Sequence, residues 1–105
     1  MQVGLDIFSG RPNPEWRLDE AAAGEVRRRL AALRPSPTRA ADPPGLGYRG
    51  FTCTDPGDTW RVFKGTVIRR TEVLADPGMT IERFLLDSLP AEYASLRPRI
   101  AGELS

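Results

Sequence analysis

The sequence predicts an α+β domain in which helices pack on one face of a small, mostly antiparallel sheet, in the order β-α-β-β-(β)-α-α. Three observations predict it. "QVGLDIF" near the start alternates with period two, as a half-buried strand does. Residues 19–34 and 76–90 carry apolar side chains at helical spacing. Between them, "DPGD" at 55–58 separates two alternating runs, and a Pro-Gly pair of this kind turns a chain back beside itself. The length of 105 residues fits one domain, 1–105, and a chain of that size buries roughly two-thirds of its unfolded surface.

The elements follow in order. Gln2 to Phe8 is expected to be a strand with Val3, Leu5 and Ile7 on one face and Gly4, Asp6 and Phe8 on the other. A loop, Ser9 to Pro14, follows, and "EWRL" is a brief returning strand. Asp19 is placed to cap a helix, with Glu20 in its positive first turn and Ala22, Val26, Leu30 and Leu33 on one side. Arg27, Arg28, Arg29 and Arg34 load its C-terminal half, and Pro35 stops it. The stretch 35–45 holds four prolines, which excludes helix interior and central strand and leaves an extended surface connection. "GYRGFTCT" reads as a strand with Arg49, Phe51 and Cys53 on one face and Tyr48, Gly50 and Thr52 on the other. "TWRVF" is its antiparallel partner, with Trp60 and Val62 inward. Lys64-Gly65 is a turn or bulge before "TVIRR", and "EVLAD" adds a short strand after a turn at Arg69 to Glu72. Asp76, with Pro77 at the first helical position, or else Thr80, caps a second helix whose buried stripe is Ile81, Phe84, Leu85 and Leu89. Pro90 ends it. One or two short helical turns follow, with Leu96, Ile100 and Leu104 spaced across a break at Pro98.

Composition narrows the function classes. Fifteen basic and fourteen acidic residues leave a net charge of +1, too little for a non-specific polyanion binder, so nucleic acid is a disfavoured partner. The single cysteine, Cys53, excludes an internal disulfide and, on a core-facing strand position, reads as an inert thiol. With no histidine, the usual zinc and copper sites, the commonest general base and every histidine-dependent triad are lost. No metal and no cofactor is implied. Neither a basic leader nor an apolar run near the ~20 residues of a membrane span is present, so a soluble, cytoplasmic protein is expected.

The chemistry-bearing residues gather in two segments. In "DIFSGRPNPEW", Pro12 and Pro14 fix their own φ and push Arg11 and Asn13 toward extended conformations. Arg11 is then a preorganised fork for a carboxylate or phosphate, Ser9 and Asn13 supply further bonds, and Trp16 is the anchor beneath. The plainer reading is a connection whose Arg11 pairs with Asp6, Glu15 or a backbone carbonyl. In "GLGYRGF", no helix and no Lys-Ser/Thr pair follows the glycines, so this is not a phosphate loop. "RGF" matches the start of an RNA-recognition motif, but Thr52 and Cys53 stand where aromatic stacking positions belong. Tyr48 and Arg49, beside Gly50, are pocket candidates. For catalysis without a cofactor, a buried carboxylate is the available acid or base, which singles out Asp6 and Asp76, with Tyr48 and the arginines as donors.

"LDIFSGRPNPEW", "GLGYRGF", "VFKGTV" and "ADPG" together resemble a group of small uncharacterised bacterial proteins that open on D-[IV]-F-S-G-R-P-N-P-x-W. The resemblance covers most of the chain and implies no reaction, ligand or residue role.

The expected function is a binding or accessory module that recognises a peptide or a small anionic ligand. Its surface is the Ser9–Pro14 loop with the Gly45–Phe51 segment, and its ligand-binding residues are Ser9, Arg11, Asn13, Trp16, Tyr48 and Arg49. The alternative is a cofactor-independent small enzyme, a cyclase or isomerase of a specialised metabolite, using Asp6, Tyr48 and Asp76. Nucleic-acid binding requires the arginines at 27–29, 69–70, 97 and 99 to converge on one face. The expected partner is a peptide, protein or small anion, and a homodimer stays open.

Overall fold

The computed structural model describes residues 1–105. Its elements are β1 (Gln2–Leu5), β2 (Glu15–Arg17), α1 (Glu20–Ala31), β3 (Arg34–Pro35), β4 (Phe51–Asp55), β5 (Asp58–Phe63), β6 (Thr66–Arg69), β7 (Glu72–Ala75), α2 (Thr80–Asp87) and α3 (Arg97–Glu103), with 3-10 turns at Pro77–Met79, before α2, and Ala91–Leu96, before α3. The seven strands form one sheet in the order β2-β1-β4-β5-β6-β7-β3, and every neighbouring pair is antiparallel. The fold is therefore the expected α+β class. No helix is long and apolar enough to cross a membrane, and no group of three or more His, Cys, Asp or Glu is gathered for a metal.

Strand alternation sends Val3, Leu5, Phe51, Cys53, Val62 and Val67 to the helical side, where they meet Val26 and Leu30 of α1, Ile81 and Leu85 of α2, and Ile100 of α3. Asp19 caps α1, its carboxylate accepting from the Ala22 amide at 2.8 Å. The buried face of α1 runs through Ala23 rather than Ala22, and that of α2 takes in Leu86, with Phe84 half-buried. Asp76 caps α2 from a distance. Its carboxylate reaches past the intervening 3-10 turn to the amides of Ile81 and Glu82, and Thr80 donates its hydroxyl to it. Of the two proposed capping residues Asp76 takes the amides, and Thr80 is the first residue of the helix itself.

Three expectations need correction. The first strand stops at Leu5, not Phe8: Asp6 still bonds Gly50 and Arg49 through its backbone, but out of regular register, and the amides of Ile7 and Phe8 then donate to Asn13 Oδ1 at 2.9 and 2.6 Å. The proline-rich stretch begins inside the sheet, with Arg34 and Pro35 paired to Ala75 and Leu74 of β7. Proline is tolerated there because β3 is an edge strand. The third correction matters most. Tyr48 is buried on the helical side and Arg49 lies on the other, the reverse of the expected assignment. Gly50 is the cause. It adopts φ +101°, which breaks the two-residue alternation and resets the side on which preceding residues emerge.

Gly50 has no room for a side chain either. A Cβ there would stand 2.3 Å from the Val62 carbonyl oxygen and 3.0 Å from Phe63 Cβ. Gly50→Ala combines backbone strain with a steric clash and is expected to cost about 2–4 kcal/mol, measured by urea unfolding. A loss below about 0.5 kcal/mol would contradict this account of the face reversal. Cys53, wholly buried and with its thiol pushed up to about 12, first by burial and then by Asp55, is expected to react with a thiol reagent only as fast as the protein opens. Immediate, complete labelling of the folded protein would contradict the assignment of β4's inner face.

Candidate functional site

The helices cover one face of the sheet. On the other face, register aligns Glu15, Gly4, Thr52, Arg61 and Ile68 in a row across β2, β1, β4, β5 and β6. Asp6 stands just beyond this row, where β1 ends, and organises the centre of the face. Its Oδ1 accepts from Arg49 Nε at 3.0 Å, from Arg49 Nη2 at 2.8 Å and from Asn13 Nδ2 at 3.3 Å. Arg49 also donates to the carbonyls of Gly45 at 2.8 Å and Phe8 at 2.9 Å. One carboxylate and one guanidinium thereby tie together the opening loop, the end of β1 and the approach to β4.

This cluster divides two depressions. Toward β2 lies a polar cleft of about 420 Å³, with Gly4 and Thr52 in its lining and Pro12 and Asn13 of the opening loop at its side. Toward β6 lies a smaller and more enclosed pocket of about 240 Å³. Ala40, Ala41 and Pro43 of the proline-rich strap form one side of it; Phe63, Thr66 and Ile68 supply the sheet side, and Arg49 and Arg61 complete the wall. The strap is held where it leaves β3, by the Ser36 amide on the Val73 carbonyl at 2.8 Å, and where it returns, by Arg49 on Gly45. From Arg39 to Pro44 it makes no hydrogen bond.

Arg61 differs from Arg49 in having donors to spare. It makes no hydrogen bond, and its single ionic contact, with Asp6 Oδ2, is 3.7 Å long, beyond hydrogen-bonding range. Two guanidinium groups and one carboxylate leave the pocket wall with one surplus positive charge. On the strap, exposed Arg39 and Asp42 offset each other.

Of the residues proposed from sequence, Asp6, Asn13 and Arg49 are brought together and the others are not. Ser9 is exposed, and Arg11, also exposed, lies over the Phe8 ring at 3.8 Å instead of pairing with Asp6 or Glu15. Asn13 and Arg49 are engaged inside the chain. Trp16 packs edge-on to Phe51 in the core, with centroids 6.4 Å apart, and its indole N–H donates to Ser88 at 3.1 Å. Tyr48 donates to the fully buried Glu82, which also accepts from the Gly65 amide at 3.2 Å. Burial, and then the Glu82 carboxylate, push the Tyr48 hydroxyl well above its ordinary value, so it stays a proton donor held inside the core. Asp76 is buried and taken up by its helix cap. Tyr48 and Asp76 are thus linked on the helical side through Glu82 and Gly65, while Asp6 lies with Arg49 on the other side of the sheet.

Most of the arginines in the runs are likewise paired at home: Arg27 with Asp55, Arg28 and Arg29 with Glu25, Arg69 with Asp58, and Arg97 with Asp87, while Arg70 and Arg99 form no ion pair. Sequence reasoning passed over Arg61, although the inward assignment of Trp60 and Val62 already placed it on the opposite face. No family model matches the chain, and neither the curated proteins nor the solved structures contain a match. What fold and site define is a class: a small α+β domain with a strap laid over one side of an otherwise uncovered sheet face.

The loop network separates two kinds of residue. Asn13→Ala leaves the Ile7 and Phe8 amides without their acceptor and is expected to cost about 1–3 kcal/mol, whereas Arg11→Ala should change stability by less than about 0.5 kcal/mol. Urea denaturation of both variants checks this. Equal losses would show that the loop is not held through Asn13.

Proposed function

We propose that the protein is a binding module for a small organic anion, taken up in the pocket between the strap and the sheet. The observation that carries this reading is Arg61, a guanidinium without a hydrogen-bonded partner at the wall of an otherwise largely apolar pocket. A few convergent polar groups in an apolar concavity are what a small-molecule site requires, and a guanidinium fork suits a planar oxyanion. Arg49, already bound to Asp6, Gly45 and Phe8, serves as a fixed wall. The opening loop acts one step removed: Asn13 fixes the end of β1, Asp6 fixes Arg49, and Arg49 fixes the strap's return. The Gly45–Phe51 segment thus reaches the ligand through Arg49, and the Ser9–Pro14 loop supports it.

Binding is favoured over catalysis because the groups that could move protons are held in internal hydrogen bonds: Asp6 by Arg49 and Asn13 beside the pocket, Tyr48 and Asp76 on the helical side. A ligand at about ten times its Kd stabilises a folded protein by about 1.4 kcal/mol, a rise in Tm of roughly 6–10 °C for a domain of this size. A thermal-shift screen of phosphate, sulfate and small carboxylates, against sodium chloride at matched ionic strength, is expected to find at least one stabilising anion. Arg61→Gln should abolish the shift while leaving the Tm of the free protein unchanged. Anion-independent melting, or a shift that survives in Arg61→Gln, would contradict the reading.

A further inference from the structure

We infer that the ligand is a compact acid with one carboxylate and a hydrocarbon body, such as a short branched-chain or aromatic acid, and that it carries no amino group. This rests on the anion-binding reading and narrows it by the chemistry of the pocket walls. Around the guanidinium of Arg61 the sheet offers Phe63 and Ile68, and the strap offers Ala40, Ala41 and Pro43. These surfaces reward a hydrocarbon body and give nothing to a hydrated one.

The donors set the headgroup. A phosphate dianion needs several donors around three oxygens to replace its water. Arg61 provides one fork, Arg49 is already engaged in four hydrogen bonds, and Thr66 gives its hydroxyl proton to the Phe63 carbonyl at 2.9 Å. One fork matches one carboxylate. An α-amino acid would bring an ammonium group as well. The carboxylate nearest the pocket, Asp6, already faces Arg49 and Arg61, so that ammonium would lose its water without gaining a partner.

Size and access agree with this. At about 240 Å³ the pocket lies below the 300–1,000 Å³ typical of drug-sized ligands, which leaves room for a ring or a branched chain and little more. The strap segment from Arg39 to Pro44 makes no hydrogen bond to the sheet, so a ligand enters by lifting a segment that is held only where it leaves β3 and where it returns. The Asp6–Arg61 contact, at 3.7 Å, yields to a bidentate carboxylate without breaking a hydrogen bond.

The test is a titration followed by amide and guanidinium NMR, using benzoate, isovalerate, acetate, leucine and inorganic phosphate on wild type and on Arg61→Gln. The Arg61 side chain is half-exposed and its one contact, with Asp6, is a long ionic one, so the variant is expected to fold as the wild type does. Benzoate or isovalerate should saturate, with shifts at Arg61, Ile68 and Ala41. Acetate should bind at least roughly tenfold more weakly for want of a body to bury, and leucine and phosphate should leave those signals unmoved. Arg61→Gln should weaken benzoate roughly 10- to 100-fold. Phosphate or leucine binding as well as benzoate would overturn the inference and leave the anion reading standing. Failure of every anion to shift Arg61, or undiminished benzoate binding by Arg61→Gln, would overturn both.

Discussion

The structure depends on the left-handed backbone of Gly50. A strand running into β4 without it would carry Arg49 into the core and turn Tyr48 outward. With φ at +101° and the Val62 carbonyl pressed against its Cα side, the chain turns once and each residue reaches the partner that suits it. Tyr48 meets Glu82 among apolar side chains, and Arg49 meets Asp6 on the uncovered face. The Asp6–Arg49 pair at the centre of the uncovered face follows from that one reset.

Two hydrogen-bond networks result, on opposite sides of the sheet. On the helical side, Tyr48, Glu82 and the Gly65 amide join the return of the strap to α2 and to the turn between β5 and β6, while the Gly65 carbonyl accepts from the Asp76 amide. A buried carboxylate is tolerable only when its acceptors are used, and no buried side-chain polar atom here lacks a partner. On the open side, Asn13, Asp6 and Arg49 join the opening loop to the strap's return. These networks make the frame stiff and leave the middle of the strap without a hydrogen bond, beside the guanidinium of Arg61, whose one contact is ionic. A fixed wall, an unbonded cover and a guanidinium without a hydrogen bond are the features on which the proposed binding function rests.

The features legible in the sequence are the local ones. The alternation of Val3 and Leu5, the Asp19 cap, the helical stripes and the Pro56-Gly57 turn each depend on neighbours a few residues away, and pattern reading finds them. Asp76 was legible as a cap, though not its reach across a whole 3-10 turn. The face of Arg49 was not, because a count of alternate residues cannot register a positive φ at Gly50. Nor was the end of β1 at Leu5, beyond which an asparagine six residues ahead of Ile7 takes two backbone amides at once. Trp16 was recognisable as an anchor, while its partners, Ser88 and Phe51, lie far along the chain. Arg61 shows the limit most plainly: alternation gives its side of the sheet, but its lack of a hydrogen-bonded partner is a property of the assembled fold.

The most direct measurement of the central claim is a double-mutant cycle on Asp6→Ala and Arg49→Ala, read by urea unfolding. If Gly50 brings these two residues together as the tie between loop and strap, their coupling is expected to be about 1.5–3 kcal/mol, as for a charge-assisted, partly buried pair. Losses that add to within about 0.3–0.5 kcal/mol would mean that Asp6 and Arg49 act independently, and the arrangement of the uncovered face described above would be wrong.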